Sequence, residues 1–304
     1  MSRPRMSKCA DLIGTHAANT DQWHRMRATG IGGSDIAAIL GLSPWQSKFS
    51  LWHQKNGLAA GAPATKEMLW GNRHEDTIAR WYRDTHPGVR VSRTGTWRNH
   101  DRPWQIANPD RLLTGKRVLE IKTDRSGDGW GRPGTDEVPV YYRAQVLWYL
   151  DCLGWESADI AVLIGLSDAR VFTIGWTESE ARIMRNAAER FWRSLQDGVP
   201  PPLDGSDATY RTVRVLHPDV DDVEIEIPAE LRDRYRSALA SEKASALMKL
   251  RAASELLDYM GTARRAVCDG ESVAVRVPGP RGAAPTLRPS PVKRTSGEKI
   301  EEAA

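Results

Sequence analysis

Cysteine is scarce, with three copies in 304 residues (Cys9, Cys152 and Cys268) and no CxxC spacing among them. That excludes a disulfide scaffold and a cysteine-bound zinc or iron–sulfur centre. The seven histidines scatter without ligand spacing, and neither an HExxH helix nor a GxxxxGK[ST] phosphate loop occurs. No stretch approaches the roughly 20 consecutive apolar residues of a membrane span. The basic start, Met1 to Arg5, is followed by no apolar run, so no secretory leader is expected. Charge of neither sign dominates: 43 Lys plus Arg face 39 Asp plus Glu, for a formal net charge of +4. The basic side is weighted toward arginine, which permits a polyanion partner without requiring one. Phenylalanine is rare at three copies, whereas tryptophan reaches twelve, and most of those indoles belong in a core or an interface. With 40% apolar and 27% charged residues, the chain reads as a soluble, cytoplasmic protein of one large or two smaller domains.

Along the chain, residues 1–20 show no period and read as an irregular arm. Helices are expected over Asp21–Arg27, Ile36–Leu40 and Ser47–Asn56, and over Lys66–Thr85, where Met68, Leu69, Ile78, Trp81 and Tyr82 mark an apolar stripe. The period then changes to short strands at Val89–Thr94, Thr96–Arg98, Trp104–Ala107, Arg111–Leu113 and Arg117–Lys122, with Thr114-Gly115-Lys116 as a tight hairpin. A helix over Val140–Leu153, strands over Asp159–Ile164 and Arg170–Trp176, and a helix over Glu178–Gln196 capped by Thr177 complete an α/β (α+β) domain. Gly198-Val199-Pro200-Pro201-Pro202 marks its end, and residues 198–209 read as a linker. Residues 210–275 form an accessory region: a strand over Val223–Ile227, then a long docking helix from Pro228 to Met260 with Leu239, Leu250, Leu257 and Met260 on one stripe. Five prolines in residues 276–304 predict disorder there.

Chemistry concentrates in Asn108-Pro109-Asp110 and, after the hairpin, Leu119-Glu120-Ile121-Lys122. Side chains alternate along a strand, so Glu120 and Lys122 share one face while Leu119 and Ile121 share the other. The hairpin brings Asp110 back beside Glu120. Two carboxylates and a lysine on an otherwise apolar strand are costly to bury unpartnered. A Mg²⁺ ion, which accepts one or two carboxylates plus water and phosphate, would relieve that cost. Lys122 would hold or deprotonate the attacking water. Taken alone, Glu-x-Lys is the pattern of an exposed cross-strand ion pair. Glu75 in the preceding helix, and Gln145 and Tyr149 one turn apart in the following one, add to the same site.

Asp110, Leu-Glu120-Ile-Lys122 and Gln145-x3-Tyr149 together resemble the PD-(D/E)xK nuclease superfamily, in its RecB-like branch. Trp23-His-x-x-Arg27, Gly30-Ile-Gly-Gly-Ser34-Asp35 through Pro44-Trp45, and Trp70-Gly-x-x-x-Glu75 narrow the resemblance to YqaJ-like viral recombinases, relatives of the lambda-type exonucleases. It spans about residues 20–196 and implies a restriction-endonuclease-like core with a central mixed sheet flanked by helices. It further implies Asp110, Glu120 and the Ile121 carbonyl as metal ligands, Lys122 as the catalytic lysine, Glu75 as an acid reaching the metal, and Gln145 lining it. Arg27 and Ser34 would contact the phosphate of a DNA end, and Tyr149, on the same helix face as Gln145, is a further phosphate-binding candidate. The glycines before Ser34 expose backbone N–H groups at a helix start, an arrangement that attracts anions; a turn with Ser34 as a plain cap is the other reading. The loop Gly127–Gly134 either contacts a DNA strand through Trp130 and Arg132 or is a linker. The implied activity is Mg²⁺-dependent (Mn²⁺ as substitute) 5′→3′ digestion of double-stranded DNA ends, giving 3′ tails for a single-strand annealing partner. A ring-shaped homo-oligomer is the assembly the lambda-type resemblance implies. A structure-specific endonuclease and a non-cleaving DNA-binding protein are the alternatives.

Overall fold

A computed structural model describes residues 7–16, 20–61, 63 and 65–290. Two compact units divide them, one ending at Pro218 and the other starting at Asp219.

The first unit is built on a five-stranded sheet of β2 (Val91–Arg93), β5 (Arg111–Leu113), β6 (Arg117–Asp124), β7 (Ser157–Ile164) and β8 (Asp168–Gly175), adjacent in that order. Its neighbours run antiparallel except β6 and β7, which are parallel, so the sheet is mixed. A parallel pair needs a crossover, and α5 (Val140–Leu153) supplies it. Gly154, with φ of 65°, ends that helix.

The alternation along β6 sorts its two faces. Leu119 and Ile121 pack with Ile78, Ala79 and Tyr82 of α4 (Lys66–Thr85), while Val118 joins the larger core around α5. Glu120 and Lys122 share the Val118 face, where Gln145 of α5 meets Glu120. Both expected faces are therefore present. Further helices complete this layer: α1 (Asp21–Ala28), α2 (Gly33–Ile39), α3 (Lys48–Lys55), α6 (Glu178–Gln196) and α7 (Asp207–Leu216). Their starts follow the sequence, with Thr20, Ser47, Thr65, Thr177 and Ser206 each accepting a hydrogen bond from an N–H of the first turn.

Several boundaries differ from the expectations. The N-terminal stretch is not wholly irregular: β1 (Ala10–Gly14) pairs with β3 (Thr96–Asn99), which also carries β4 (Ile106–Ala107) in a second small sheet. A strand that needs a distant partner leaves little local period to read. The triple proline does not end the unit either, because α7 follows it and its buried Thr209 donates to Ser47 Oγ at 2.7 Å.

In the second unit, α8 (Ala229–Met260) precedes a three-stranded antiparallel sheet of β9 (Arg265–Cys268), β10 (Glu271–Val277) and β11 (Thr286–Pro289), ordered β11-β10-β9. Asp269 and Gly270, with φ of 48° and 79°, form the turn between β9 and β10. The strands reaching Pro289 overturn the expected disorder of residues 276–290; residues 291–304 lie outside the described residues. Val223–Ile227 alternates apolar and acidic residues yet joins no ladder. Leu239 and Leu250 of the predicted stripe are exposed, and Met260 is buried.

Candidate active site

The site assembles where β5, β6 and α5 meet. Leu119 pairs with Arg111 across the hairpin, so the next step along the register sets Asp110 opposite Glu120. Asp110 Oδ2 accepts the Ile121 N–H at 2.8 Å. Glu120, 2% exposed, receives Lys122 Nζ and Gln145 Nε2 on the same oxygen, Oε1, each at 2.6 Å. Its other oxygen, Oε2, is buried and has no hydrogen-bond partner. Gln145 also donates to the Tyr149 hydroxyl at 2.9 Å. One turn of α5 thus orients the amide that meets Glu120, as the one-turn spacing predicts.

The electrostatics follow from burial. Desolvation, then the Glu120 charge, hold the Asp110 carboxyl well above the usual carboxylate range. Desolvation also raises Glu120, against the pull of Lys122 and with a push from Glu75. Burial alone would lower Lys122, but the Glu120 and Asp110 carboxylates outweigh it and keep the ammonium protonated. The Lys122 ammonium also lies 4.8 Å from the Tyr142 ring centroid.

Glu75 is close enough to raise both carboxyls, yet one oxygen is held by Arg111 Nη1 at 2.5 Å. Arg111, itself buried, also bonds Asp76 at 2.7 Å and the Asp110 carbonyl at 2.6 Å. The sequence reading passed over this clamp. Its signal was a lone arginine in an apolar strand directly after Pro-Asp.

Next to this centre, the Cβ that any other residue would place at position 33 would lie 2.4 Å from Tyr149 Cε1 and 2.9 Å from the Gln145 carbonyl. Only glycine lets α2 approach α5 so closely. Gly32, not Ser34, caps α2, and the Asp35 carboxylate accepts the Gly32 N–H at 2.8 Å. Asp35 is buried and paired with Lys55 at 2.7 Å and Arg27 at 3.1 Å. Burial would raise its carboxyl, but those two cations and the N–H bring it below the usual value. Arg27 also donates to Ser34 Oγ and lies 4.7 Å over the Trp23 ring. Arg27 and Ser34 therefore do come together.

A group with a lowered folded pKa contributes stability that is full above its unfolded value and is lost as pH falls through the folded one. The Asp35 contribution should thus be complete above about pH 4 and fade only below it. Removing one partner of a buried ion pair typically costs about 3–5 kcal/mol. Asp35→Ala, which leaves the Lys55 ammonium with only the Arg27 and Gly30 carbonyls and no counter-charge, should therefore lower the midpoint of denaturant unfolding markedly at pH 7. An unchanged midpoint would show that the cluster is not structural.

Two residues expected at the DNA are placed elsewhere. Trp130 is buried, with its ring 5.3 Å from Phe172 and 5.7 Å from Tyr142, so it cannot stack on a strand; Arg132 beside it is exposed. Tyr149 is 3% exposed and supports Gln145 from behind instead of facing a phosphate.

Among the described residues no three His, Cys, Asp or Glu side chains converge as a metal cluster. The candidate donors are the carboxylates of Asp110 and Glu120, the latter with Oε2 unpartnered. That set suits a hard cation which keeps several waters, and does not suit zinc. No described helix is long and apolar enough to cross a membrane.

A family model for the YqaJ-like viral recombinase domain matches residues 22–156. The chain is 30% identical over 241 residues to the YqaJ protein of Bacillus subtilis strain 168, covering 77% of this chain and 75% of that one. Among solved structures, an alkaline exonuclease from Laribacter hongkongensis superposes with a TM-score of 0.48 at 17% identity, covering 59% of this chain and 94% of that one. The same exonuclease in complex with dAMP gives 0.49 at 16% identity, with 59% and 94% covered. Asp110, Glu120, Lys122 and Gln145 all lie within the matched segment. The sequence likeness settles the kinship: the chain belongs to the YqaJ-like viral recombinase family.

Proposed function

We propose that the chain is a metal-dependent deoxyribonuclease that hydrolyses phosphodiester bonds at double-stranded DNA ends, 5′→3′, leaving 3′ tails for a single-strand annealing protein. The observation that carries this reading is the carboxylate pair, Glu120 buried and Asp110 half-buried, with Lys122 beside it and Glu120 Oε2 unpartnered. Burial of that kind is costly unless a cation is to be bound. Asp110, Glu120 and the Ile121 carbonyl would hold Mg²⁺ or Mn²⁺, which supplies charge neutralisation at the phosphate and a more acidic water. Gln145 and Lys122 together fix Glu120 through Oε1, leaving Oε2 free. Because its ammonium keeps its proton, Lys122 acts by holding the attacking water and meeting the charge that develops on the phosphoryl oxygens. Arg111 keeps Glu75 at the edge of the site. The test is digestion of a linear duplex set against a covalently closed circle. The linear form should be consumed and the circle spared, whereas cutting of the circle would favour an endonuclease.

Arg27 and Ser34 form the terminal-phosphate contact on this reading. A charge-assisted bond of that kind contributes about 1.5–3 kcal/mol. A 5′-phosphorylated duplex should thus be digested about tenfold to a hundredfold faster than a 5′-hydroxyl one, each 1.4 kcal/mol being about a factor of ten. Arg27→Ala should erase that preference and reduce the salt slope of binding by about one phosphate contact. Equal rates on the two ends with the unmutated protein would remove the pocket while leaving the metal site intact.

A further inference from the structure

Trp45 is 59% exposed, although indoles of this size are normally buried. The turn that presents it is ordered, with Ser43 Oγ accepting the Trp45 N–H at 3.3 Å and the Gln46 N–H at 3.1 Å. Its ring meets Tyr141 at 4.9 Å in an edge-on arrangement, and Tyr141 meets Tyr142 at 4.5 Å. Tyr142 is the ring beneath the Lys122 ammonium, and buried Trp130 and Phe172 lie behind it. An unbroken series of aromatic contacts therefore leads from the catalytic lysine outward to an indole in solvent, on a packed foundation.

We propose that Trp45, carried by Tyr141 and Tyr142, is a base-stacking platform that receives an unpaired nucleobase beside the scissile phosphate. The proposal rests on the nuclease reading above and adds a specificity element to it. Every base has a π-face, so such a platform tolerates any sequence and yet discriminates a strand with bases from one without. It would engage a base only once that base had left its pair, which couples strand separation to the position of the phosphate at Lys122.

The probe is a thymidine oligonucleotide compared with an abasic strand of equal length, each binding the full chain with Ca²⁺ present, followed by fluorescence anisotropy. The stacking contribution of one base corresponds to about a five- to hundredfold change in affinity. Trp45→Ala should weaken the base-bearing strand by that factor and leave the abasic strand unchanged. Trp45→Phe, which keeps a π-face, should restore most of the loss. An equal loss on both strands, or no loss on either, in a protein that still digests duplex DNA would overturn the platform and leave the nuclease reading standing. A wild-type chain that binds neither strand and cuts no duplex would overturn both.

Discussion

Asp110→Ala, Glu120→Ala and Lys122→Ala should each reduce DNA cleavage by about three orders of magnitude or more, because on the proposed reading the three serve one metal-and-water unit whose loss is not additive. Far-UV circular dichroism should stay near wild type for all three, and the unfolding midpoint should stay near wild type for Asp110→Ala. Removing Asp110 relieves its repulsion with the Glu120 carboxyl, and no packed apolar contact is lost with it. Glu120→Ala and Lys122→Ala should be less benign, since each leaves the other member of their ion pair without its charged partner. Double variants should be no slower than the worst single one. Substantial cleavage by any two of the single variants would place the chemistry elsewhere.

The metal dependence should be visible in stability as well as in turnover. Asp110 and Glu120 have raised folded pKa values, so their contribution to stability is full below the unfolded values near 4 and is lost as pH rises through the folded ones. The metal-free protein should thus melt higher on mild acidification, and at pH 8 a divalent cation should take the place of the missing protons. At a hundredfold excess over Kd, ligand binding adds about 2.7 kcal/mol, or a rise in Tm of about 5–10 °C for a domain of this size. Mg²⁺, Mn²⁺ and Ca²⁺ should each raise Tm. Only the first two should support turnover, because Ca²⁺ is larger and places the water less strictly. Asp110→Asn and Glu120→Gln should abolish both the acid-side gain and the metal-induced rise. A wild-type Tm unmoved by Mg²⁺ would contradict the ligand assignment.

How legible all this was depended on how local the signal was. The spans of α4 and α6 were readable because an apolar stripe and a capping residue lie in one stretch of chain, and that of α5 because a nearly continuous apolar run ends at Gly154. The Asp110–Glu120–Lys122 core was equally readable, since one hairpin brings these residues together and strand alternation sorts their faces. What failed was long-range. Pairing of β1 with β3 joins residues some 90 positions apart, and the docking of α7 depends on a hydroxyl of Ser47 that its own sequence does not announce. Burial was the other gap. Trp130 sits in a glycine-rich stretch that reads as loop, but its ring packs on Phe172, and Tyr149 needs the close approach of Gly33 before its depth is evident.

The central claim meets its most direct test in one assay, the digestion of a 5′-phosphorylated, end-labelled linear duplex with Mg²⁺ or with excess EDTA. With Mg²⁺ the label should be released progressively as mononucleotides from the 5′ end, with the complementary 3′ strand left intact, and EDTA should stop the release. Digestion that continues in EDTA, or a duplex that survives Mg²⁺ intact, would contradict the account.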